Sequence, residues 1–236
     1  MLDLPIILAS GSPRRRELLT HLVEKFTVLP VDVDESKHTD ETPIQYIQRM
    51  VVDKAVASIA YLNQTKNQIE READADIVNQ SWLDGVNYTH ALLILTADTI
   101  GVLSDDTVLL KPTDYDDAKA MWQSMSDDVH EVWTAVQATL VTKSANGCHP
   151  LSWQQSWQQS LLERTTVSFI KLSDDDMQAY WQTGEPADKA GGYAIQGRGA
   201  VWVRRIEGSH TNVVGLPLAQ TKALIEAGQK ACQRMG

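Results

Sequence analysis

Three consecutive arginines, Arg14-Arg15-Arg16, follow Ser10-Gly11-Ser12-Pro13 at a point where a helix should begin. Ser12 is a preferred N-cap and Pro13 a preferred first helical residue. Leu18, Leu19, Leu22 and Val23 then supply an apolar face at helical spacing. The positive end of a helix dipole makes each cation in the first turn cost roughly 0.3–1 kcal/mol. Two readings stand. Either the guanidinium groups project into water on different sides of the turn, or they act with the Ser10 and Ser12 hydroxyls and the free N–H groups to hold phosphate. The second chemical position is a carboxylate. Residues 91–97 are a continuous apolar run, the pattern of a strand buried on both faces, and it ends in Asp98-Thr99. Open α/β sheets gather ligand-binding groups at such strand ends, and the alternative is a turn-initiating aspartate. Two short β segments flanking Ser104-Asp105-Asp106 form a hairpin that brings Lys111 back towards Asp98. Lys54 lies among the apolar positions Ile47, Met50, Val51 and Ala55, where spacing alone describes a snorkelling lysine. The acidic loop ending in Glu35 reads, by charge alone, as solvated.

The elements that must position these residues are legible in part. Residues 5–9 form a short buried strand before the first helix, and residues 26–31 a second strand. Thr42-Pro43 starts a second helix. Asp114 opens a third, whose core face is Ala118, Met121, Trp122 and Met125. Residues 132–141 and 165–170 are β segments, and Ser173 caps a helix that Gly184 ends. A glycine-rich loop over residues 185–197 can bring its backbone close to a ligand. A strand at residues 200–206 and a closing helix after Gly215-Leu216-Pro217 complete the chain. Residues 63–90 and 143–163 read as two insertions that the chemistry does not need. The second holds the repeat Ser152-Trp153-Gln154-Gln155-Ser156-Trp157-Gln158-Gln159, expected as a hairpin tip on which Trp153 or Trp157 packs against a neighbour.

The 236 residues, 43% hydrophobic and 22% charged, describe an ordinary soluble protein of one large or two small domains. There is no run of 18 apolar residues and no signal-peptide layout at the N-terminus, which places the chain in the cytoplasm and off the membrane. Cys148 and Cys232 lack metal-ligand spacing, so neither a disulfide framework nor a zinc site is expected. A net charge of -10 argues against a broad nucleic-acid surface. A small anion requires a local basic cluster inside this acidic envelope, together with a divalent metal drawn in by carboxylates.

Ser10-Gly11-Ser12-Pro13-Arg14-Arg15, the Glu41/Tyr46/Arg49/Lys54 spacing, Ala97-Asp98-Thr99, Leu110-Lys111-Pro112, His130-Glu131-Val132-Trp133-Thr134, the stretch from Gly184 to Gly197, and Asn212 to Pro217 occur in one order. Together they resemble the Maf family of nucleoside triphosphate pyrophosphatases, from residue 6 to about residue 225 without the two insertions. The resemblance implies one α/β domain over residues 1–236: an elongated, twisted mixed sheet flanked by helices, with a cleft between two lobes, similar to the inosine triphosphatase fold. It implies cleavage between the α- and β-phosphates with Mg2+ or Mn2+, and a homodimer. Tyr193-Ala194-Ile195-Gln196-Gly197 resembles the branch acting on dTTP and UTP. A methylated-GTP or broad-specificity pyrophosphatase, or a non-enzymatic regulator of septum formation, is the alternative. Carried over by motif, Asp98 is similar to the proton acceptor, and Arg14, Thr99 and Gln196 to the specificity positions. Arg15, Lys54, Lys111 and Lys189 complete the catalytic and phosphate-binding set with Ser10 and Ser12, and Glu35 joins Asp98 as a metal ligand. Two departures stand out: Ser126-Asp127 replaces the family's usual Ser-Gly, and Gly192 replaces its usual Ala, a mild loosening of the loop.

Overall fold

The structure is a computed structural model that describes residues 4–69, 90–144 and 152–235. Within them run β1 (Ile6–Leu8), α1 (Pro13–Leu19), β2 (Thr27–Val28), α2 (Pro43–Ile69), β3 (Ala91–Val102) and β4 (Val108–Leu109). Then come α3 (Tyr115–Met125), β5 (Val129–Ser144), β6 (Ser152–Phe169), α4 (Asp174–Trp181), β7 (Val203–Glu207), α5 (His210–Val214) and α6 (Leu218–Gln233). Short 3-10 turns at Glu185–Asp188, Ala190–Gly192 and Arg198–Trp202 lie between α4 and β7. Cys148 and most of the first insertion fall outside the described residues.

The strands form one seven-stranded mixed sheet in the order β2-β1-β3-β5-β6-β7, with β4 against β3. β1 runs parallel to β2 and β3, and the other pairings are antiparallel. Side chains alternate between the faces, so β5 sends Val132, Val136, Ala138 and Leu140 one way and Trp133, Ala135 and Val141 the other. The second face belongs to α2. Its Tyr46, Ile47, Met50 and Val51 pack on Ile100, Val102, Trp133 and Ala135, and its Leu62 joins Ile7, Leu92, Ile94 and Trp153. The first face carries two separate cores. Leu18 and Leu19 of α1 with Leu224 and Ile225 of α6 cover Leu93, Leu95, Val136 and Leu140. Trp122 and Met125 of α3 with Met177 and Tyr180 of α4 cover Val132, Val167 and Phe169. The cleft runs between these two cores and around the edge of β3 to the α2 face, so the elongated α/β architecture with two lobes is met.

Three local expectations are corrected. First, β3 does not stop at Asp98. It continues to Val102, because β5 pairs with it without interruption from Ala91 to Val102. What ends near Asp98 is the neighbour on its other side: β1 last pairs at Leu95, and β4 first pairs at Gly101. Second, the second insertion is mostly strand. β6 pairs with β5 from Ser152 to Ser168, Ser156 excepted, and the polar repeat becomes sheet because an apolar partner strand is already there. Trp153 and Trp157 both pack, on opposite faces, the first with the α2 side and the second against the α1 and α6 core. Their spacing of four would put them on one face of a regular strand. An irregularity in the register between Leu140 and Val141 leaves Ser156 as the extra residue and turns the following side chains over. Asn63 of α2 then exchanges two hydrogen bonds with the Trp153 backbone, at 2.8 and 3.1 Å. Third, Gly192 is no loosening. Its φ is +65, and an added Cβ would sit 3.0 Å from the Trp122 indole nitrogen, which donates to the Gly192 carbonyl. At the other departure the backbone keeps the left-handed form that glycine favours: Asp127 has φ +56 and pairs with Arg204 at 2.7 Å.

Candidate functional site

The open edge of β3 decides the geometry. Between the end of β1 and the start of β4, its residues are reachable from both faces of the sheet. Asp98 pairs with Ala135 and Thr99 with Thr134, so by alternation the two side chains point to opposite faces. The cleft around this edge has a volume of about 630 Å3, and Ser10, Ser12, Arg14, Arg15, Glu35, Lys54, Asp98, Thr99, Lys111, Lys189 and Gln196 all line it. The structure therefore brings every sequence-predicted site residue to one cavity.

On the Asp98 side, α2 delivers Lys54, which is buried and reaches Asp98 Oδ1 at 2.5 Å and Glu35 Oε1 at 3.1 Å. The spacing that described a snorkelling lysine hid a cation shared by two carboxylates. Lys111, after β4, closes the chain by donating to Glu35 Oε2 at 3.0 Å, so the hairpin brings it to Glu35 rather than to Asp98 itself. Partial burial works to raise the Glu35 pKa, but Lys54 and Lys111 together outweigh it and hold the carboxyl below its ordinary range. The acidic loop is built rather than merely solvated. Tyr46 donates to the Glu35 carbonyl at 2.8 Å, and Arg49 clamps Glu41 through two bonds of 2.7 and 2.8 Å while donating to the Ser36 carbonyl.

On the Thr99 side stands Arg15. Its Nε donates to the Gly215 carbonyl at 2.9 Å, one terminal nitrogen to Ser10 Oγ at 3.2 Å and the other to Thr99 Oγ1 at 2.9 Å. Thr99 is in turn 3.0 Å from Thr134 Oγ1, which donates to the Asn212 carbonyl. Burial lowers the Arg15 pKa and the field of Asp98 opposes that shift; a guanidinium nevertheless stays charged. No carboxylate of the described residues lies within ion-pair distance of it, so a positive charge is fixed at the cleft floor without a counter-ion. Arg14 faces Asp188 at 3.7 Å, and Arg16 is exposed outside the cleft. Ser12 caps α1 without using its hydroxyl.

The glycine-rich loop forms the far wall. Lys189 is turned inward, donating to the Glu185 carbonyl at 3.0 Å and pairing with Asp188. Gln196 is exposed at the rim, and its side chain bonds to nothing among the described residues. Reasoning from sequence missed what holds this wall. His130 is buried with Nε2 2.8 Å from the Tyr193 hydroxyl, and burial drives its pKa down to about 4, with Asp128 opposing. Tyr180 and Glu185 bond to the loop backbone. No pattern of residue types points to these two side chains, and the close approach of Gly197 and Gly199 to them is visible only in the fold.

One wall thus offers oxygen donors arranged around a lysine, and the opposite floor offers an unpaired guanidinium. This division suits an anionic ligand whose charge is neutralised on one side while a carboxylate works on a proton or a cation on the other. The family model described as Maf-like protein matches residues 5–228. The dTTP/UTP pyrophosphatase of Psychrobacter cryohalolentis is 54% identical over 227 residues, covering 94% of this chain and 96% of that one. The dTTP/UTP pyrophosphatase of Photobacterium profundum is 38% identical over 221 residues, covering 94% and 95%. The Ham1 protein of Staphylococcus aureus aligns over 94% of this chain and 98% of its own, at 8% identity and a TM-score of 0.44.

Proposed function

The chain belongs to the Maf family, and from that premise we propose that it hydrolyses dTTP and UTP between the α- and β-phosphates, releasing the monophosphate and pyrophosphate. The observation that carries this reading is Arg15, a charge held at three corners by Gly215, Ser10 and Thr99 with no acid beside it, facing the Asp98–Lys54–Glu35 group across one cleft. Phosphoryl transfer asks the protein mainly for positioning and charge neutralisation. Arg15 and Arg14, with Ser10, Ser12 and Thr99, hold the phosphates. Asp98 takes the proton of the attacking water, and Lys54 keeps its carboxylate in place. Lys111 and Lys189 meet the charge that grows on the leaving pyrophosphate. Each of these cations already has an acid to leave: Lys111 has Glu35, Lys189 and Arg14 have Asp188.

The carboxylates of Glu35 and Asp98 suit Mg2+ or Mn2+. Both offer hard oxygen donors towards a single lysine nitrogen, and such ions take one or two carboxylates and complete their shell with phosphate oxygens and water. A divalent ion held by these two carboxylates would supply charge neutralisation and would make a water easier to deprotonate. Gln196 is the base reader: an amide carries both a donor and an acceptor, matching the adjacent carbonyl and N–H of uracil or thymine. A homodimer and a cytoplasmic location belong to the same reading; no helix of the described residues is long and apolar enough to cross a membrane.

Pyrophosphate release from a panel of triphosphates with Mg2+ or Mn2+ is the test. We expect dTTP and UTP to lead, with purines poor. Preference for a methylated GTP, or equal turnover of all bases, moves the chain to another specificity. A folded but inert protein favours the septum regulator.

A further inference from the structure

Among the described residues the Gln196 side chain bonds to nothing; besides the His130–Tyr193 contact further back in the loop, the segment around Gln196 is tied by two residues that do not line the cleft. Glu185 Oε1 accepts from the Tyr180 hydroxyl at 2.6 Å and from the Gly199 N–H at 3.3 Å, while Oε2 accepts from the Arg198 N–H at 3.0 Å. The same Tyr180 oxygen accepts from the Ala194 N–H at 3.1 Å. One carboxylate and one phenol therefore tie down residue 194 before Gln196 and residues 198 and 199 after it. The two glycines on this segment are explained by the same contact. A Cβ on Gly197 would lie 2.3 Å from Glu185 Oε1, and one on Gly199 2.8 Å from the Tyr180 hydroxyl. The ring end of the arrangement is anchored in the core: Tyr180 is 6% exposed and packs at 4.6 Å on Trp202 and 5.6 Å on Trp122. A carboxylate receiving backbone N–H groups makes charge-assisted bonds, and partial burial, which works to raise the Glu185 pKa, is outweighed by these donors, so its pKa is held low.

We propose that Tyr180 and Glu185 are positioning residues that fix the backbone on both sides of Gln196 and so set the discrimination between bases without touching substrate. The proposal rests on the reading of Gln196 as the residue that meets the base. A side-chain amide discriminates only if its donor and acceptor arrive in register with the base edge, and a misplaced loop loses that match before it loses phosphate binding.

The experiment compares Tyr180→Phe, Glu185→Gln, Gln196→Ala and the Tyr180→Phe/Gln196→Ala double variant. For each, kcat and KM are measured with UTP and GTP, beside the melting temperature. Tyr180→Phe keeps the packed ring and removes only the hydroxyl. We expect the UTP-over-GTP ratio of kcat/KM to fall about tenfold in Tyr180→Phe and Glu185→Gln, through KM for UTP, with kcat little changed. In the double variant the ratio should equal that of Gln196→Ala alone, because a positioning residue has nothing left to position. If Gln196→Ala lowers the ratio while folded Tyr180→Phe and Glu185→Gln leave it intact, the clamp is overturned and the reading of Gln196 survives. If Gln196→Ala leaves the ratio unchanged, the base-reading role itself fails and the clamp falls with it. Failure of both clamp variants to fold would make the pair a stability element and likewise overturn the proposal.

Discussion

Replacing His130 by glutamine should change how the stability of the protein depends on pH. His130 sits on β5 at 2% exposure, between Phe169 at 4.9 Å and Tyr193 at 5.5 Å between ring centroids, with Nε2 on the Tyr193 hydroxyl. Burial pushes its pKa from 6.5 down to about 4, with Asp128 pulling weakly the other way. The unfolded chain therefore takes up a proton near pH 6.5, while the folded chain refuses it until about pH 4. Since the unfolded state binds more protons in that window, stability falls as pH drops through it. At 1.36 kcal/mol per unit, the full shift is worth roughly 3 kcal/mol, of which about 1.4 is lost one unit below the unfolded pKa. Glutamine does not titrate and still offers Tyr193 a hydrogen bond. Urea unfolding of both proteins at about pH 7.5, 5.5 and 4.5 gives the difference directly. Carboxyls with lowered pKa, such as Glu41 at about 2, act in both proteins and cancel. Wild type should lose about 1–3 kcal/mol more than the variant across this range. Parallel curves would refute the reasoning, as would a wild type that gains on the variant in acid.

Asp98→Asn keeps volume and removes the charge next to Lys54, so turnover should drop about 10²–10⁴-fold with the melting temperature nearly unchanged; ordinary pyrophosphate release from the folded variant would take Asp98 out of the chemistry. Trp153→Ala empties a site only 3% exposed and should cost about 3–5 kcal/mol in urea unfolding, against a smaller loss for the partly buried Trp157. Gly192→Ala should cost about 1–2 kcal/mol for the left-handed backbone alone, and its contact with Trp122 should show as a shifted tryptophan fluorescence spectrum. An unchanged spectrum and melting temperature would mean that the indole moves aside at no cost.

What could be read from the sequence was what local chemistry writes into it. The cap and proline at Ser12-Pro13 place α1, and the apolar run before Asp98 places β3. The open edge beside Asp98 was not legible, because where β1 stops pairing is decided by a neighbour 80 or more residues away in the chain: Leu8 pairs with Leu95. The hydrophobic pattern of α2 gave its face, but Lys54 sits on that face only because Asp98 and Glu35 wait opposite it. Glu185 stayed hidden for another reason. Its partners are a phenol and backbone N–H groups, which no spacing of residue types records. The polar repeat read as a hairpin tip, rather than as part of two long paired strands, because its partner strand was not part of the local pattern.

The extra residue at Ser156 makes β6 a strand with a phase shift in it. Upstream of Ser156, odd-numbered Trp153 belongs to the α2 face, whereas downstream odd-numbered Trp157 belongs to the α6 face. Length and side are thereby coupled. Removing Ser156 would set Gln155 and Trp157 side by side opposite Val141 and Leu140 and leave both tryptophans on their present faces, whereas adding a residue between Trp153 and Trp157 would carry Trp153, with the Asn63 contact that meets its backbone, to the wrong side of the sheet. Point substitutions at Ser156 leave the count unchanged and should be tolerated. The sensitivity at this place is to the number of residues rather than to their identity, so the strand should accept changes of letter far more readily than the gain of one.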